Sequence, residues 1–393
     1  MNETTSFTEC FLILTEDCNL RCKYCYENTN RCSTNYMSFE TGEKSIDFLI
    51  NNALESDNKL LNITFFGGEP FLNLEVMIKI FHYAIEQAQK HNIGLFFSIV
   101  TNGTIYNKKI ENFILECYKA TKSIDIQISI DGIPEIQDKN RAFINNKPTS
   151  DIVFKNIMKL KKLFKDNSIN TSFIYTHSVL TKDNMSSLFF SYKYLRQLEI
   201  GIPTFSLANE EEWDENDIST YNEQLSFIAD YIYQECISLG SLKPYYDAGG
   251  TGIPGKIVIN KYTCSAGKKF CAIVPNGDIY PCDKTYFYNF SFKLGNVSDC
   301  IIDKEIRKTF FDVCRKDMYA GEANCGECGN KECVCIAYNY QKYGDMLKCD
   351  PAVCLMYKAR WNFITEAQKS FINLADKLNY NKCNEMKFFK NTN

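Results

Sequence analysis

The chain has 393 residues with 45% hydrophobic side chains, enough for a buried core and for more than one domain. Its 44 basic and 48 acidic side chains leave a net charge of −4 with no long run of either sign, which argues against a general nucleic-acid surface. No stretch approaches the roughly 18 apolar residues of a membrane span, and the N-terminus lacks the basic and apolar regions of a signal peptide. We therefore expect a cytoplasmic protein that binds neither nucleic acid nor membrane.

Cysteine is abundant, with 19 residues, and an odd number cannot all be paired in disulfides. In a reducing compartment, clustered cysteines are typical of metal ligands or nucleophiles. Cys18, Cys22 and Cys25 follow an apolar, strand-like run at residues 11–14. A [4Fe–4S] cluster normally takes four cysteines, so this C-x3-C-x2-C triplet would leave one iron open to a ligand from outside the protein. The spacing thus predicts a catalytic cluster rather than a structural one or an electron carrier.

Short β-branched or aromatic runs alternate with amphipathic helical stretches from residue 11 to about 205. The predicted strands cover residues 11–14, 63–66, 96–100, 124–130, 171–177 and roughly 199–205. Between the first two, residues 43–53 repeat apolar side chains at helical spacing, and Ser38 is a suitable start for that helix. Six βα units imply a parallel sheet with right-handed crossovers. We therefore expect an α/β domain whose site lies at the C-terminal ends of its strands.

Polar or glycine-rich segments follow the first four of these strands. After the cysteine triplet come Gly67-Gly68-Glu69-Pro70, Thr101-Asn102-Gly103 and Ser129-Ile130-Asp131-Gly132. The paired glycines allow close backbone approach, and the carboxylate that follows them can pair with an ammonium group. Because parallel strands end at one edge, these segments should converge on one rim.

The alternation stops after a helical stretch at about 215–240, and the Pro- and Gly-containing residues 241–263 predict a linker. From Cys264 onward the chain has many cysteines and few long periodic helices before about residue 351. Pro275-Asn276-Gly277-Asp278 predicts a hairpin turn that brings Cys264 and Cys282 together. A small domain with little apolar core can be held by metal clusters. We predict a barrel domain at 1–240, the linker at 241–263, and a cysteine-rich domain with a C-terminal helix at 264–393.

The triplet, with Tyr24 before its last cysteine, resembles the signature of radical S-adenosylmethionine (SAM) enzymes. Gly67-Gly68-Glu69-Pro70, one βα unit later, resembles the motif that binds the SAM amino group in that family. The resemblance implies a partial (β/α)6 TIM-like barrel that holds SAM and a [4Fe–4S] cluster. A reduced cluster would cleave SAM to a 5′-deoxyadenosyl radical, which removes a hydrogen atom from the substrate.

The same resemblance assigns SAM contacts to further residues. Ser129 and Asp131 would lie near the SAM ribose, and Arg141 would clamp the SAM carboxylate. Asn102 is a further candidate, with simple capping of its turn as the alternative.

The C-terminal cysteines resemble the SPASM domain, which is appended to radical SAM peptide-modifying enzymes and carries two auxiliary [4Fe–4S] clusters. The resemblance assigns Cys264, Cys271, Cys282 and Cys335 to one cluster, and Cys325, Cys328, Cys333 and Cys354 to the other. The later cysteines are spaced C-x2-C-x4-C-x-C where the family usually has C-x2-C-x5-C-x3-C, and Cys349 competes with Cys354 as the last ligand. Structural zinc is the alternative, because paired C-x2-C is also typical of zinc ribbons.

Asp283 directly follows Cys282, and the same Cys-Asp pair occurs in the related anaerobic sulfatase-maturating enzymes, where the aspartate is the proposed base. A carboxylate beside an auxiliary cluster could take a proton from a substrate thiol or hydroxyl. The alternative is a solvated or turn-capping aspartate.

The resemblance covers roughly residues 10–365 and implies a SPASM-type peptide maturase. Such an enzyme would form a thioether between a cysteine sulfur and a carbon of another residue in a ribosomally made precursor peptide. A flavodoxin or ferredoxin would supply electrons. Since only about ten residues precede the first predicted strand, we expect leader recognition to come from a separate protein or from the barrel surface, or not to be needed. The alternatives are formylglycine formation on a sulfatase and a non-catalytic iron–sulfur or zinc protein. Formylglycine formation ranks below the peptide maturase because residues 65–71 resemble the peptide maturases more.

Overall fold

The computed structural model describes residues 6–27, 35–247, 264–288, 291–313, 317–325 and 335–377. Its strands are β1 (Glu9–Thr15), β2 (Leu20–Cys22), β3 (Leu60–Gly67), β4 (Gly94–Thr101), β5 (Asp125–Ser129), β6 (Arg141–Phe143), β7 (Ile174–Leu180), β8 (Thr204–Leu207), β9 (Phe270–Ile273), β10 (Asp278–Tyr280), β11 (Gly295–Asn296), β12 (Ile301–Ile302), β13 (Tyr319–Ala320) and β14 (Ala323–Asn324). Its helices are α1 (Phe39–Leu54), α2 (Leu74–His91), α3 (Lys108–Thr121), α4 (Pro134–Asn140), α5 (Ser150–Asp166), α6 (Leu188–Arg196), α7 (Glu215–Leu239), α8 (Lys243–Asp247), α9 (Asp283–Phe287), α10 (Lys304–Phe311), α11 (Ile336–Tyr343) and α12 (Pro351–Lys377).

Six parallel strands form the barrel part of the main sheet, in the order β1, β3, β4, β5, β7 and β8. Neighbouring strands belong to successive βα units, as in a partial (β/α)6 barrel, and the predicted barrel is confirmed. The fifth strand lies further along the chain than predicted, because residues 171–173 form a 3-10 turn and alternate burial begins only at Ile174. The sixth strand is likewise shifted, to Thr204–Leu207.

The first helix shows how the sequence specifies these elements. Ser38 Oγ accepts a hydrogen bond from the Thr41 backbone N–H at 3.0 Å and caps α1. Ile46, Leu49 and Ala53 are buried on one face, as their spacing predicts. Burying each of the two larger side chains stabilises the fold by roughly 1.5–3 kcal/mol.

Aromatic side chains fill the layer between the sheet and its helices. Phe65 and Phe97, on adjacent strands, stack with ring centroids 5.7 Å apart. Phe81 of α2 lies 5.1 Å from Phe97, and Phe113 of α3 lies 6.4 Å from Phe65. This packing fixes α2 and α3 against β3 and β4, the two strands that end in the Gly67-Gly68 and Thr101-Asn102 segments.

The cysteine-rich part extends the barrel sheet. The predicted hairpin is confirmed: β9 pairs antiparallel with β10, and Gly277 in the turn has φ of 85°. β9 also pairs parallel with β1, and β11 and β12 follow, so that one ten-stranded sheet runs through both parts of the chain. The predicted linker at 241–263 contains α8, a short helix that its Pro and Gly did not suggest; residues 248–263 lie outside the described ranges.

The last helix packs against the barrel. Phe371 of α12 lies with its ring centroid 5.7 Å from that of Tyr233 in α7 and 4.2 Å from that of Tyr245 in α8. The cysteine-rich part is therefore joined to the barrel at two places, the β1–β9 pair and this helix contact. Within the described ranges, no helix combines the length and apolar character needed to cross a membrane.

Candidate functional site

A cavity of about 390 Å³ opens at the C-terminal ends of the barrel strands. Most of the residues assigned to SAM or to its cluster from the sequence line this cavity: Cys18, Cys22, Tyr24, Cys25, Gly67, Gly68, Asn102, Ser129 and Arg141. The expected convergence of four strand ends on one rim is therefore observed.

The three N-terminal cysteines share one wall of the cavity, and hydrogen-bond donors face two of their sulfurs. Asn102 Nδ2 lies 3.8 Å from Cys18 Sγ, and Arg141 Nη1 lies 3.9 Å from Cys22 Sγ. Donors and positive charge favour the thiolate, the form that binds metal. Three cysteine thiolates, with hydrogen-bond donors facing two of them, fit an iron–sulfur cluster. No three His, Cys, Asp or Glu side chains in the described ranges are spaced as ligands of a single metal ion.

The Gly67-Gly68 turn fixes the loop that leads into Cys18. The backbone N–H of Gly68 donates to Thr15 O, and that of Glu69 donates to Asp17 O, both at 2.9 Å. A Cβ at Gly68 would lie 2.2 Å from Asp17 O, and one at Gly67, whose φ is 126°, would lie 2.3 Å from Thr15 O. Both positions therefore require glycine, because a side chain would push away the loop that holds the first cysteine.

Glu69 lies beneath the cavity rather than on its wall. Its Oε2 accepts a hydrogen bond from the Asn102 backbone N–H at 2.8 Å, and its Oε1 accepts from Phe71 N at 3.1 Å and from Thr101 Oγ1 at 2.9 Å. Complete burial raises the pKa of Glu69 to about 7 in spite of these hydrogen bonds. These hydrogen bonds fix the end of β4, and the expected contact between this carboxylate and the SAM ammonium group stays a prediction.

Asp131 forms a buried ion pair with Arg141, whose Nε lies 3.0 Å from Asp131 Oδ1. Tyr24 donates its hydroxyl to the same carboxylate at 2.6 Å, and the Arg141 guanidinium lies 5.2 Å from the centre of the Tyr24 ring. Burial opposes the charge of Arg141, but its pKa is held above the usual value by the negative Asp131. The carboxylate of Asp131 thus lies behind Arg141 and Tyr24, which line the cavity, and its expected place near the SAM ribose stays a prediction.

Asp283, the candidate base, begins α9 and is buried behind the cavity wall. Its Oδ2 accepts a hydrogen bond from the Tyr26 hydroxyl at 2.6 Å, and Tyr26 itself lines the cavity. Burial raises the pKa of Asp283. The aspartate therefore reaches the cavity through Tyr26, a residue that sequence reasoning had left without a role.

Sequence reasoning missed other cavity residues, among them His177, Ser206 and Lys284. His177 Nδ1 lies 2.8 Å from Thr204 Oγ1, and its Nε2 lies 3.0 Å from Ser206 Oγ. Burial, with the nearby positive Arg141, lowers the pKa of His177 to about 4, so its ring is neutral near pH 7. The available signal was its place at the end of the fifth predicted strand, which alternation alone does not mark as part of a site.

The C-terminal cysteines divide differently from the sequence assignment. Cys264, Cys282 and Cys335 lie close enough that burial and their mutual charges raise the pKa values of the first two, that of Cys264 to about 11. Cys271, expected with them, is the register partner of Cys10 on β1 and hydrogen-bonds to it. Three of the four expected cysteines therefore lie together. Cys271 lies against the barrel, because β9 pairs with β1.

The second C-terminal group contains Cys349. Its Sγ lies 4.0 Å from Cys325 Sγ and 3.6 Å from Asn339 Nδ2, and Cys354 is near enough to contribute to the raised pKa of Cys349, whose main cause is burial. Cys325, Cys349 and Cys354 thus lie together, so that Cys349 joins Cys354 rather than replacing it. The expected ligands Cys328 and Cys333 lie outside the described residues.

Comparison with known proteins identifies the barrel. Residues 12–189 match the model of the Radical SAM superfamily. MJ0907 of Methanocaldococcus jannaschii, an uncharacterized protein, is 35% identical over 195 residues, which cover 50% of this chain and 60% of that protein. The radical SAM cyclopropyl synthase TigE of Paramaledivibacter caminithermalis is 25% identical over 91% of this chain and 74% of its own length. A cysteine-type anaerobic sulfatase-maturating enzyme of Clostridium novyi is 24% identical over 75% of this chain and 79% of its own length.

Two solved structures share the fold across both parts of the chain. The anSMEcpe structure with bound AdoMet and the Kp18Cys peptide has a TM-score of 0.69 and 22% identity, and it covers 95% of this chain and 99% of its own. Streptococcus suis SuiB bound to the precursor peptide SuiA has a TM-score of 0.59 and 16% identity over 89% of this chain and 76% of its own. The family match over residues 12–189, together with the cysteine triplet and the glycine turn on one cavity wall, shows that the barrel carries a radical SAM domain.

Proposed function

We propose that this protein is a radical SAM enzyme that forms a thioether cross-link in a ribosomally made precursor peptide. The observation that carries the proposal is the shared cavity wall, where Cys18, Cys22 and Cys25 lie beside Gly67 and Arg141. A peptide substrate is supported by two similar proteins, SuiB, which was solved with its precursor peptide, and anSMEcpe, which was solved with a peptide and AdoMet.

Each cavity residue has a role in this proposal that follows from its contacts. Cys18, Cys22 and Cys25 would hold the [4Fe–4S] cluster, and Asn102 and Arg141 would donate toward the sulfurs they already face. When bound, the cluster and SAM would supply a radical that removes a hydrogen atom from the peptide. Arg141, whose side chain is held by Asp131, would bind the SAM carboxylate. The ring of Tyr24 would stack against the Arg141 guanidinium. Gly67 and Gly68 leave room for close approach to their backbone.

The substrate side of the proposal uses Tyr26 and Asp283. Forming a thioether joins sulfur to carbon and releases two hydrogens from the peptide: the carbon's hydrogen passes to the SAM-derived radical, and the thiol loses a proton. Asp283, through Tyr26 at 2.6 Å, is the proposed acceptor of that proton. The one electron left over would pass to an auxiliary iron–sulfur cluster, which Cys264, Cys282 and Cys335 are proposed to bind. Cys325, Cys349 and Cys354 are proposed ligands of a second such cluster, with Cys328 and Cys333 as the sequence-based candidates to complete it.

Three measurements on the anaerobically reconstituted protein test the proposal. It should contain about twelve irons, as three four-iron clusters, and about four irons with bound zinc would exclude the auxiliary clusters. After reduction it should release 5′-deoxyadenosine from SAM. Mass spectrometry of cysteine-containing peptides encoded beside its gene should find a product lighter by two hydrogen atoms, in which the modified cysteine no longer reacts with a thiol reagent.

The rival function is conversion of a cysteine or serine to formylglycine. Its support is the similarity to the cysteine-type sulfatase-maturating enzyme over 75% of this chain. The same experiment separates the two, because the rival product carries an aldehyde that reacts with hydrazides, and a cross-linked peptide does not.

A further inference from the structure

A second cavity, of about 690 Å³, adjoins the first and shares Tyr24, Ala208 and Glu210 with it. We name it the outer cavity. Its other walls are Lys23, Asn140 and residues 181–183 and 211–212. The shared residues place it directly beside the inner cavity, where the cysteine triplet lies.

The outer cavity has an excess of negative charge. Lys182, which lines it, already pairs with Asp214 at 2.9 Å and with Asp217 at 2.8 Å. Asp183 pairs with Lys139 at 3.1 Å, and Glu210 pairs with Lys284 at 3.3 Å. Lys23, the other lysine of the wall, is exposed to solvent.

Glu211 and Glu212 differ from these acids, because no ion pair with either is found in the described part of the chain. Glu211 is partly buried, and this burial, followed by the charge of Asp183, raises its pKa. A partly buried carboxylate beside other carboxylates is stabilised by an incoming cation. The wall therefore suits a positively charged ligand group.

Asn140 gives an independent indication of a ligand. This residue is 2% exposed and lines the outer cavity, yet its Nδ2 has no hydrogen-bond partner among the residues that the structure describes. Its backbone is fixed, since its carbonyl oxygen accepts a hydrogen bond from Lys23 N at 3.0 Å. A buried donor without an acceptor is costly, so a ligand that supplies a carbonyl oxygen would relieve that cost.

We infer that the outer cavity binds a lysine or arginine side chain of the substrate peptide, close to the residue modified in the inner cavity. Glu211 and Glu212 receive the cation, and Asn140 Nδ2 donates to a carbonyl oxygen of the peptide backbone. The inference rests on the proposed peptide substrate, and it adds that the substrate carries a basic residue near its modification site.

The test uses short synthetic peptides, each with a cysteine and an arginine one, two or three positions after it. Each has a partner peptide in which the uncharged analogue citrulline replaces arginine. Binding is measured by isothermal titration calorimetry on the anaerobically reconstituted protein, with SAM and without reductant. At least one arginine peptide should bind about tenfold more tightly than its citrulline partner. Because no reaction is needed, the outcome does not depend on whether the protein cleaves SAM.

Variants assign the preference to the cavity. Glu211→Gln combined with Glu212→Gln should abolish the arginine preference, and the matched control, Glu86→Gln with Glu223→Gln on exposed helix positions, should retain it. Asn140→Leu should weaken arginine and citrulline peptides alike, by roughly three- to tenfold, since it acts on the backbone. Equal binding of arginine and citrulline peptides, no binding of either, or a preference that survives in the Glu211 and Glu212 double variant would each overturn the inference.

Discussion

The barrel rim and the C-terminal cysteine groups both depend on thiols, yet the sequence specifies them to different degrees. At the rim, Cys18, Cys22 and Cys25 come from one loop, and the other wall residues come from successive parallel strand ends. Short spacing and parallel topology leave little freedom about which residues meet. Farther along, Cys264 and Cys335 lie far apart in the sequence, and which thiols meet depends on strand pairing and helix docking. Ligand assignments made by spacing are therefore safer at the rim, and each prediction below tests that contrast.

The largest effect is expected for Cys22→Ala at the rim. Without this proposed ligand the cluster site would be incomplete, and release of 5′-deoxyadenosine from SAM should fall to background. Cys300→Ala removes an exposed thiol outside both cavities and is the matched control, which should keep wild-type release. Substantial release by the Cys22 variant would mean that the triplet has been misidentified.

The next effect concerns the glycine turn that holds the triplet's loop. Gly68→Ala puts a Cβ against the Asp17 carbonyl and should cost about 3 kcal/mol of unfolding free energy, together with the iron of the N-terminal site. In Gly94→Ala the new Cβ would lie 3.0 Å from the end of the flexible Leu60 side chain, so that variant should lose far less. Urea unfolding measures the loss of stability in each variant, and iron analysis measures the loss of iron. Equal losses in the two variants would contradict the role given to Gly68.

A comparable effect on stability is expected from the buried ion pair behind the rim. Asp131→Asn leaves the Arg141 guanidinium buried without its carboxylate and should cost about 3 kcal/mol. Asp166→Asn breaks the exposed pair with Lys162 and should cost less than about 0.5 kcal/mol. The unfolding midpoints in urea give both numbers. If the two variants are equally stable, Asp131 does not orient Arg141 as described.

The smallest effect is expected at Cys271, where sequence spacing and structure disagree. If Cys271 stays paired with Cys10, Cys271→Ala should keep all of the roughly twelve irons, while Cys282→Ala should lose about four. Iron analysis of the two reconstituted variants decides between the assignments. An equal loss from both would restore Cys271 as a ligand and show that the β1–β9 contact rearranges around the cluster.

The barrel, the triplet and the glycine turn could all be predicted from the amino-acid sequence. Each is predicted by residues that are close together in the sequence. Apolar alternation predicts the strands, and a helix cap predicts the start of α1. Thiols a few residues apart in one loop lie close together in space. The parallel order of the six strands then follows from the βα alternation, because right-handed crossovers place successive strands side by side. For that reason Asn102 and Ser129 could be assigned to the rim before any contact was known, whereas Arg141 was assigned by resemblance to the radical SAM family. All three line the cavity.

Which side chains face the cavity and which support it from behind became visible only in the folded chain. Glu69 and Asp131, which the sequence suggested for contacts with SAM, each accept hydrogen bonds behind the cavity wall, and their contacts with SAM stay predictions. The pairing of β9 with β1, which separates Cys271 from its expected partners, joins segments more than 250 residues apart. No local pattern encodes such a pairing, because it depends on which sheet edge the finished barrel leaves open.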